Sequence, residues 1–222
     1  RVYFDTDEFK RRFWLYVLVP VAGYAVGVAL YSEGDLVFWR ALAILAVFHF
    51  VRQQYGWVNL YRRRLGEMSR VTWWIDAAAV YLATIYPLAF WMTSVPRNFE
   101  WFVQNDFVLL PSVVETVLFP IYIAALAAYA IKSVYLYFAD GFLNIGKDIV
   151  VLTTAICWYV GIVAFNSDYA FTVTNVIIHG VPYFALIYMY AKFRRETSGG
   201  VYRAFSSNWI VFLASLWALA YV

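Results

Sequence analysis

"PSVVETVLFPIYIAALAAYAIKSVYLYF", residues 111–138, carries only two charged side chains, Glu115 and Lys132, over a run that a helix rising 1.5 Å per residue would extend to about 40 Å. A hydrocarbon core about 30 Å thick takes roughly 20 helical residues per crossing, so this stretch reads as a membrane span. Comparable apolar runs, broken by charge, glycine or proline, lie near 13–31, 36–61, 71–95, 148–165, 169–193 and 207–222. The chain therefore reads as all-α, a polytopic transmembrane helical bundle of about seven spans forming a single transmembrane domain over 1–222. Composition agrees: 64% of residues are hydrophobic and 14% charged, more apolar than the core of a soluble domain requires. Trp14 and Tyr16, Trp73 and Trp74, Tyr135 and Tyr137, and Tyr188 and Tyr190 cluster at the ends of the runs, as interfacial belts do.

Lysine and arginine should gather on every second loop if the spans are real. One side receives Lys10, Arg11 and Arg12, then Arg62, Arg63, Arg64 and Arg70, then Lys147, then Lys192, Arg194, Arg195 and Arg203. The other receives "SEGD" (32–35), the connector with Arg97, Glu100 and Asp106, and "NSDY" (166–169). This alternation predicts the N-terminus inside and, with seven spans, the C-terminus outside. The net charge of +3 follows from the same topology and needs no nucleic acid; anionic headgroups at the inner face are the expected partners of the basic clusters, with other membrane subunits as further candidates. The first apolar run follows charged residues and is as long as the others, unlike a cleavable signal peptide. The opening Arg1 and the apolar final run lead to the expectation that one or both natural ends lie beyond the chain. Cys157, the single cysteine, reads as a buried, inert thiol.

Ionisable groups within a span are costly and usually turn toward partners in the bundle. In "FHFVRQQYGW" (48–57), His49, Arg52, Gln53 and Gly56 follow i, i+3, i+4, i+7 and share one helical face, with Asn59 near its continuation. In the sixth span Asn175, His179 and Tyr183 stand at steps of four, next to Gly180 and to Pro182, which removes a backbone donor and predicts a bend. His49 and His179 are the only two histidines. Each precedes the first residue of its inner basic cluster, Arg62 or Lys192, by thirteen positions, so the two imidazoles are expected level, roughly 20 Å above the basic end. Neither Asp76 nor Glu115 reaches that depth; Tyr24, Thr84, Tyr122, Cys157 and Tyr159 do.

Two level histidines on different helices suit a transition metal, or a haem ligated from both faces, with Arg52, Gln53, Asn175 and Tyr183 as cofactor-binding or tuning groups. An enzyme built this way would be a membrane-bound metal- or haem-dependent oxidoreductase. The competing readings are a non-catalytic membrane subunit or scaffold whose polar residues serve helix packing, and a transporter or lipid-handling protein using a cavity near Arg52 and Asp76. On adjacent spans, Arg52 and Asp76 are expected to form an intramembrane ion pair. Lys132 is expected to snorkel to the boundary, Asp148 to cap the fifth span, and Glu115 to support the first turn of its helix. The chain lacks a P-loop, GxGxxG, HExxH, CxxC, the histidine boxes of membrane desaturases and a retinal-binding lysine in the seventh span. His49–Phe50 in mid-span is similar to one motif of the bacterial carotene-cleaving membrane oxygenases, but the further histidines of such a site are missing and no family is assigned on it.

Overall fold

The computed structural model describes residues 6–193 and 201–221; Arg194 and Arg195 of the basic clusters lie outside the described residues. The helices run in chain order as α1 (Thr6–Arg11), α2 (Phe13–Ser32), α3 (Asp35–Arg64), α4 (Arg70–Thr93), α5 (Ser112–Asp140), α6 (Ile145–Trp158), α7 (Asp168–Phe193), α8 (Val201–Phe205) and α9 (Trp209–Leu219). Among the described residues, five segments are long and apolar enough to cross a membrane: Phe13–Ser32, Arg70–Thr93, Ser112–Asp140, Ile145–Ala164 and Asp168–Phe193. They match expected spans to within a few residues. The other two expected crossings form helices that fall short of the same standard. α3 is long enough but carries Arg40, Arg52 and Arg62–Arg64, and α9 has 11 residues.

The chain divides into two compact units, residues 30–179 and residues 1–29 with 180–222. In the first, α4 is the central helix and packs against α3, α5 and α6. Its buried positions Asp76, Ala77, Val80, Ala83, Thr84, Pro87, Leu88 and Trp91 recur at three- and four-residue steps, so one broad face meets its neighbours. Alanine at 77, 79 and 83 lets backbones approach where lipid supplies no hydrophobic drive for helix association. Glycine does the same on α6 and just beyond its end. A Cβ on Gly146 would lie 2.2 Å from the Tyr61 ring, and one on Gly161 would lie 2.1 Å from Thr174 Oγ1. Around Gly161 the helix widens into a π-helical turn, Tyr159–Ala164.

Local signals end the helices where the spans predict. Ser69 accepts from Thr72 N at the start of α4, and Asn144 accepts from Lys147 N at the start of α6. α5 stops at Gly141, whose φ of 62° allows Gly141 N and Phe142 N to return to the Tyr137 and Leu136 carbonyls. The capping role expected of Asp148 therefore belongs to Asn144. Asp148 lies in the first turn of α6, where it accepts from the Tyr129 hydroxyl at 2.5 Å and from Ser133. Glu115 does sit in the first turn of α5, and it also accepts from Thr93 at 3.1 Å.

An aromatic cluster closes one end of this unit. The connector after α4 folds back so that Phe99 and Phe107 are buried against Trp91, Trp158 and Phe171. Arg97 pins it by donating to the Ile162 and Phe165 carbonyls at the end of the π-helical turn, and Asn98 pairs with Asn166. Burial pushes the Arg97 guanidinium below the usual arginine value. In the second unit α2 buries none of its residues, and Tyr188 packs against Trp209 and Phe212. A 20-residue helix this apolar with none of its residues buried is suited to lipid rather than water.

Candidate functional site

α3 turns two different polar faces to its surroundings. Its buried face is Ala43, Val51, Gln54, Val58 and Arg62. The stripe singled out in the sequence lies to the side of it: His49, Arg52 and Gly56 are exposed and Gln53 is half-buried. Nothing lies within 4 Å of a Cβ added to Gly56. The expectation that the whole stripe turns into the bundle is thus corrected. A helix with apolar neighbours at 51 and 58 gains more from burying Gln54, which accepts from Thr154, than from burying the arginine at 52.

His49 and His179 are brought together as their common depth predicts. Their rings meet edge to face, with centroids 5.2 Å apart and an interplanar angle of 77°. Phe50 lies flat on His179 at 3.7 Å and touches Trp101 edge-on at 5.3 Å, which connects the pair to the aromatic cluster. Gln53 Nε2 donates to the His179 carbonyl at 3.0 Å, tying α3 to α7 at this level. One turn earlier on α7, Asn175 is 2% exposed and donates to the Phe171 carbonyl. Gln53 Oε1, Asn175 Oδ1 and Trp158 Nε1 are buried without a hydrogen-bond partner among the described residues. Tyr183, one turn beyond His179, is exposed and belongs to the other unit. Of the polar residues at the same depth, Thr84 bonds to carbonyls of its own helix and Tyr122 stacks on Tyr86. No group of three or more His, Cys, Asp or Glu suited to a metal ion occurs among the described residues.

Two imidazoles sharing one ion at a tetrahedral angle, with metal–nitrogen distances of about 2.0–2.1 Å, keep their centroids about 5 Å apart. Ligation of a haem from opposite faces would hold them about 6 Å apart with the macrocycle between. The observed 5.2 Å separation is shorter than a haem held from both faces would impose, and Phe50 already covers one face of His179.

Below this level lies a second polar centre that sequence reasoning missed. Asp76, 1% exposed, accepts from Arg62, Lys132 and Lys147, the last at 3.1 Å. Glu67 from the α3–α4 hairpin accepts from Lys147 at 2.5 Å and from Arg62 at 3.3 Å, and Asn144 donates to it at 2.6 Å. Arg62 also bonds to Thr72 and to the Glu67 and Ser69 carbonyls. Every one of these charged side chains is buried. The expected Arg52–Asp76 pair does not form. Arg52 donates to the Tyr81 hydroxyl at 2.8 Å and sits over the Tyr55 ring, because Arg62 is on the buried face and reaches Asp76 directly. Lys132 does not snorkel; it stays inside, bound to Asp76 and over the Tyr129 ring. Arg62 and Lys147, read as boundary charges, are interior ones. The missed signal is that Arg62 continues the buried i, i+4 series Gln54, Val58, while Arg63 and Arg64 do not.

Within this centre three cations face two carboxylates. Asp148 is the third carboxylate nearby. It lines a small cavity of about 10 Å³ with Lys132, Ser133, Asn144 and Lys147, and its partner Tyr129 carries the Lys132 ammonium on its ring. Counting Asp148 balances the charges, as burial in low dielectric demands.

Comparison with protein-family models, with curated proteins and with solved structures finds no match to the chain.

Proposed function

We propose that this chain is an integral membrane protein that holds a transition-metal ion between His49 and His179 at mid-membrane depth, with Gln53 and Asn175 orienting the site. Imidazole suits zinc, copper, iron and nickel, and two histidines leave coordination positions for water or a small-molecule substrate. In this reading α3 and α9 complete seven crossings, the N-terminus is inside, and the activity is that of a membrane-bound oxidoreductase. The observation that carries it is the contact of the two imidazoles, from different helices, at 5.2 Å. Partly open sites of this kind depend on groups that fix ring orientation. The Phe50–His179 stack would fix the ring, and the Gln53 bond to the His179 carbonyl would hold the backbone that carries it.

The test is elemental analysis of protein purified in detergent without an affinity tag. One equivalent of a transition metal is expected in the parent protein, with at least tenfold less in His49→Ala and in His179→Ala while both variants stay monodisperse. Parent protein with no stoichiometric metal after growth and titration with zinc, iron, copper and nickel overturns the proposal. A second reading, a non-catalytic membrane subunit, is favoured by the uncovered stripe of α3, where Gly56 offers a bare backbone to a partner helix. It predicts that His49→Ala changes association with other membrane proteins and no metal content.

A further inference from the structure

The α3–α4 hairpin presents a second basic feature, distinct from the buried centre. Arg62 turns inward and takes the carboxylates. Arg63, Arg64 and Arg70 are exposed, and none of the three has an acidic partner among the described residues. Arg70 opens α4 and, with Trp73 and Trp74, lines an open cleft of about 520 Å³. The indoles meet edge to face at 4.5 Å, and Trp74 is 65% exposed. Met68 at 84% and Val71 at 69% exposure add apolar surface on either side of the arginine. Unpaired cations bordering bare indole and aliphatic surface, at the end of a segment apolar enough to cross a membrane, match the two ends of one kind of molecule.

We propose that Arg70, Trp73 and Trp74 form a binding site for an anionic phospholipid, with the phosphate on the Arg70 guanidinium and the upper acyl chain against the indoles. Arginine suits the phosphate because its planar fork matches two oxygens at once. Tryptophan suits the boundary because its ring is apolar with one polar edge. Arg63 and Arg64 add field without touching the cleft, so they raise affinity for any anionic headgroup. A free phosphate would use the arginine and leave the indoles idle. A zwitterionic lipid would use the indoles and gain little from the unpaired cations.

The experiment is a lipid titration of detergent-purified protein followed by thermal unfolding and by native mass spectrometry. The probes are phosphatidylglycerol, phosphatidylcholine and inorganic phosphate at equal concentration. Phosphatidylglycerol is expected to raise the unfolding temperature and to remain bound in the mass spectrum, with the other two at baseline. Arg70→Gln should weaken phosphatidylglycerol binding about fivefold, the share of one interfacial arginine. Because Arg70 is exposed and unpaired, that variant keeps the fold. In bilayer discs containing phosphatidylglycerol with brominated acyl chains, quenching of tryptophan fluorescence should fall in Trp74→Phe. Equal stabilisation by phosphatidylcholine or by phosphate, or an Arg70→Gln variant that binds phosphatidylglycerol as the parent does, overturns the proposal.

Discussion

Replacing Asp76 by asparagine removes the carboxylate on which Arg62, Lys132 and Lys147 converge and leaves three buried cations facing Glu67 and the more distant Asp148. At the 3.1 Å separation of Lys147 and Asp76, two unit charges in an effective dielectric of about 20 attract by about 5 kcal/mol before desolvation is counted. Desolvation offsets much of this in the intact network, so the net value of the network is small. Breaking it is different, because the orphaned cations keep their desolvation cost and lose their partner. Removal of one member of such a buried set costs about 3–5 kcal/mol, and the Asp76→Asn variant is expected at the upper end because three cations lose one acceptor. The assay is reversible unfolding in mixed micelles with increasing denaturing detergent. The double variant Asp76→Asn, Lys132→Met removes one of the stranded charges and should recover about 1–2 kcal/mol relative to the single. A single variant within about 1 kcal/mol of the parent, or a double variant no better than the single, would refute the claim that these charges lie in a closed, dry interior.

Close helix approach predicts a contrast among glycines. Gly161→Ala should destabilise by about 1–3 kcal/mol, since its Cβ would fall 2.1 Å from Thr174 Oγ1, whereas Gly56→Ala should be neutral or slightly stabilising in the same unfolding assay. Arg97→Ala frees the Ile162 and Phe165 carbonyls and should cost about 1.5–3 kcal/mol, with protease cleavage appearing in residues 97–108 before the helices are cut. The metal analysis of His49→Ala and His179→Ala and the lipid titration of Arg70→Gln complete the set.

The pairing of the two histidines was legible in the sequence. His49 and His179 could be set at one depth because both spans carry the same number of residues between histidine and basic end, and a fixed rise per residue turns that count into height. Gln53 and Asn175 share those helical faces: Gln53 donates to the His179 carbonyl, and Asn175 is buried one turn earlier on α7. The partner of Asp76 was not legible. Depth along two helices brings Arg52 within reach, but which arginine meets the carboxylate depends on rotation about the helix axis. Rotation is set by the packing of Val51, Gln54 and Val58, which carries Arg62 inward and Arg52 out to Tyr81. Lys147 and Glu67 were hidden for a related reason, since each sits beside a helix end and reads as a boundary charge until α6 and the α3–α4 hairpin close over Asp76.

By itself, then, the amino-acid order determined that the chain is helical, that five of its segments are long and apolar enough to cross a membrane, and that its two histidines stand equally far from the basic ends of their helices. These follow from local quantities, namely hydropathy over a run and rise per residue. Only the tertiary structure decided which faces of those helices are covered, and so that three cations and a carboxylate converge in the interior while the histidine stripe of α3 stays at its edge. Azimuth and neighbour identity arise from side chains of several helices fitting together at once, where small residues such as Ala79 and Gly161 set how near the backbones come.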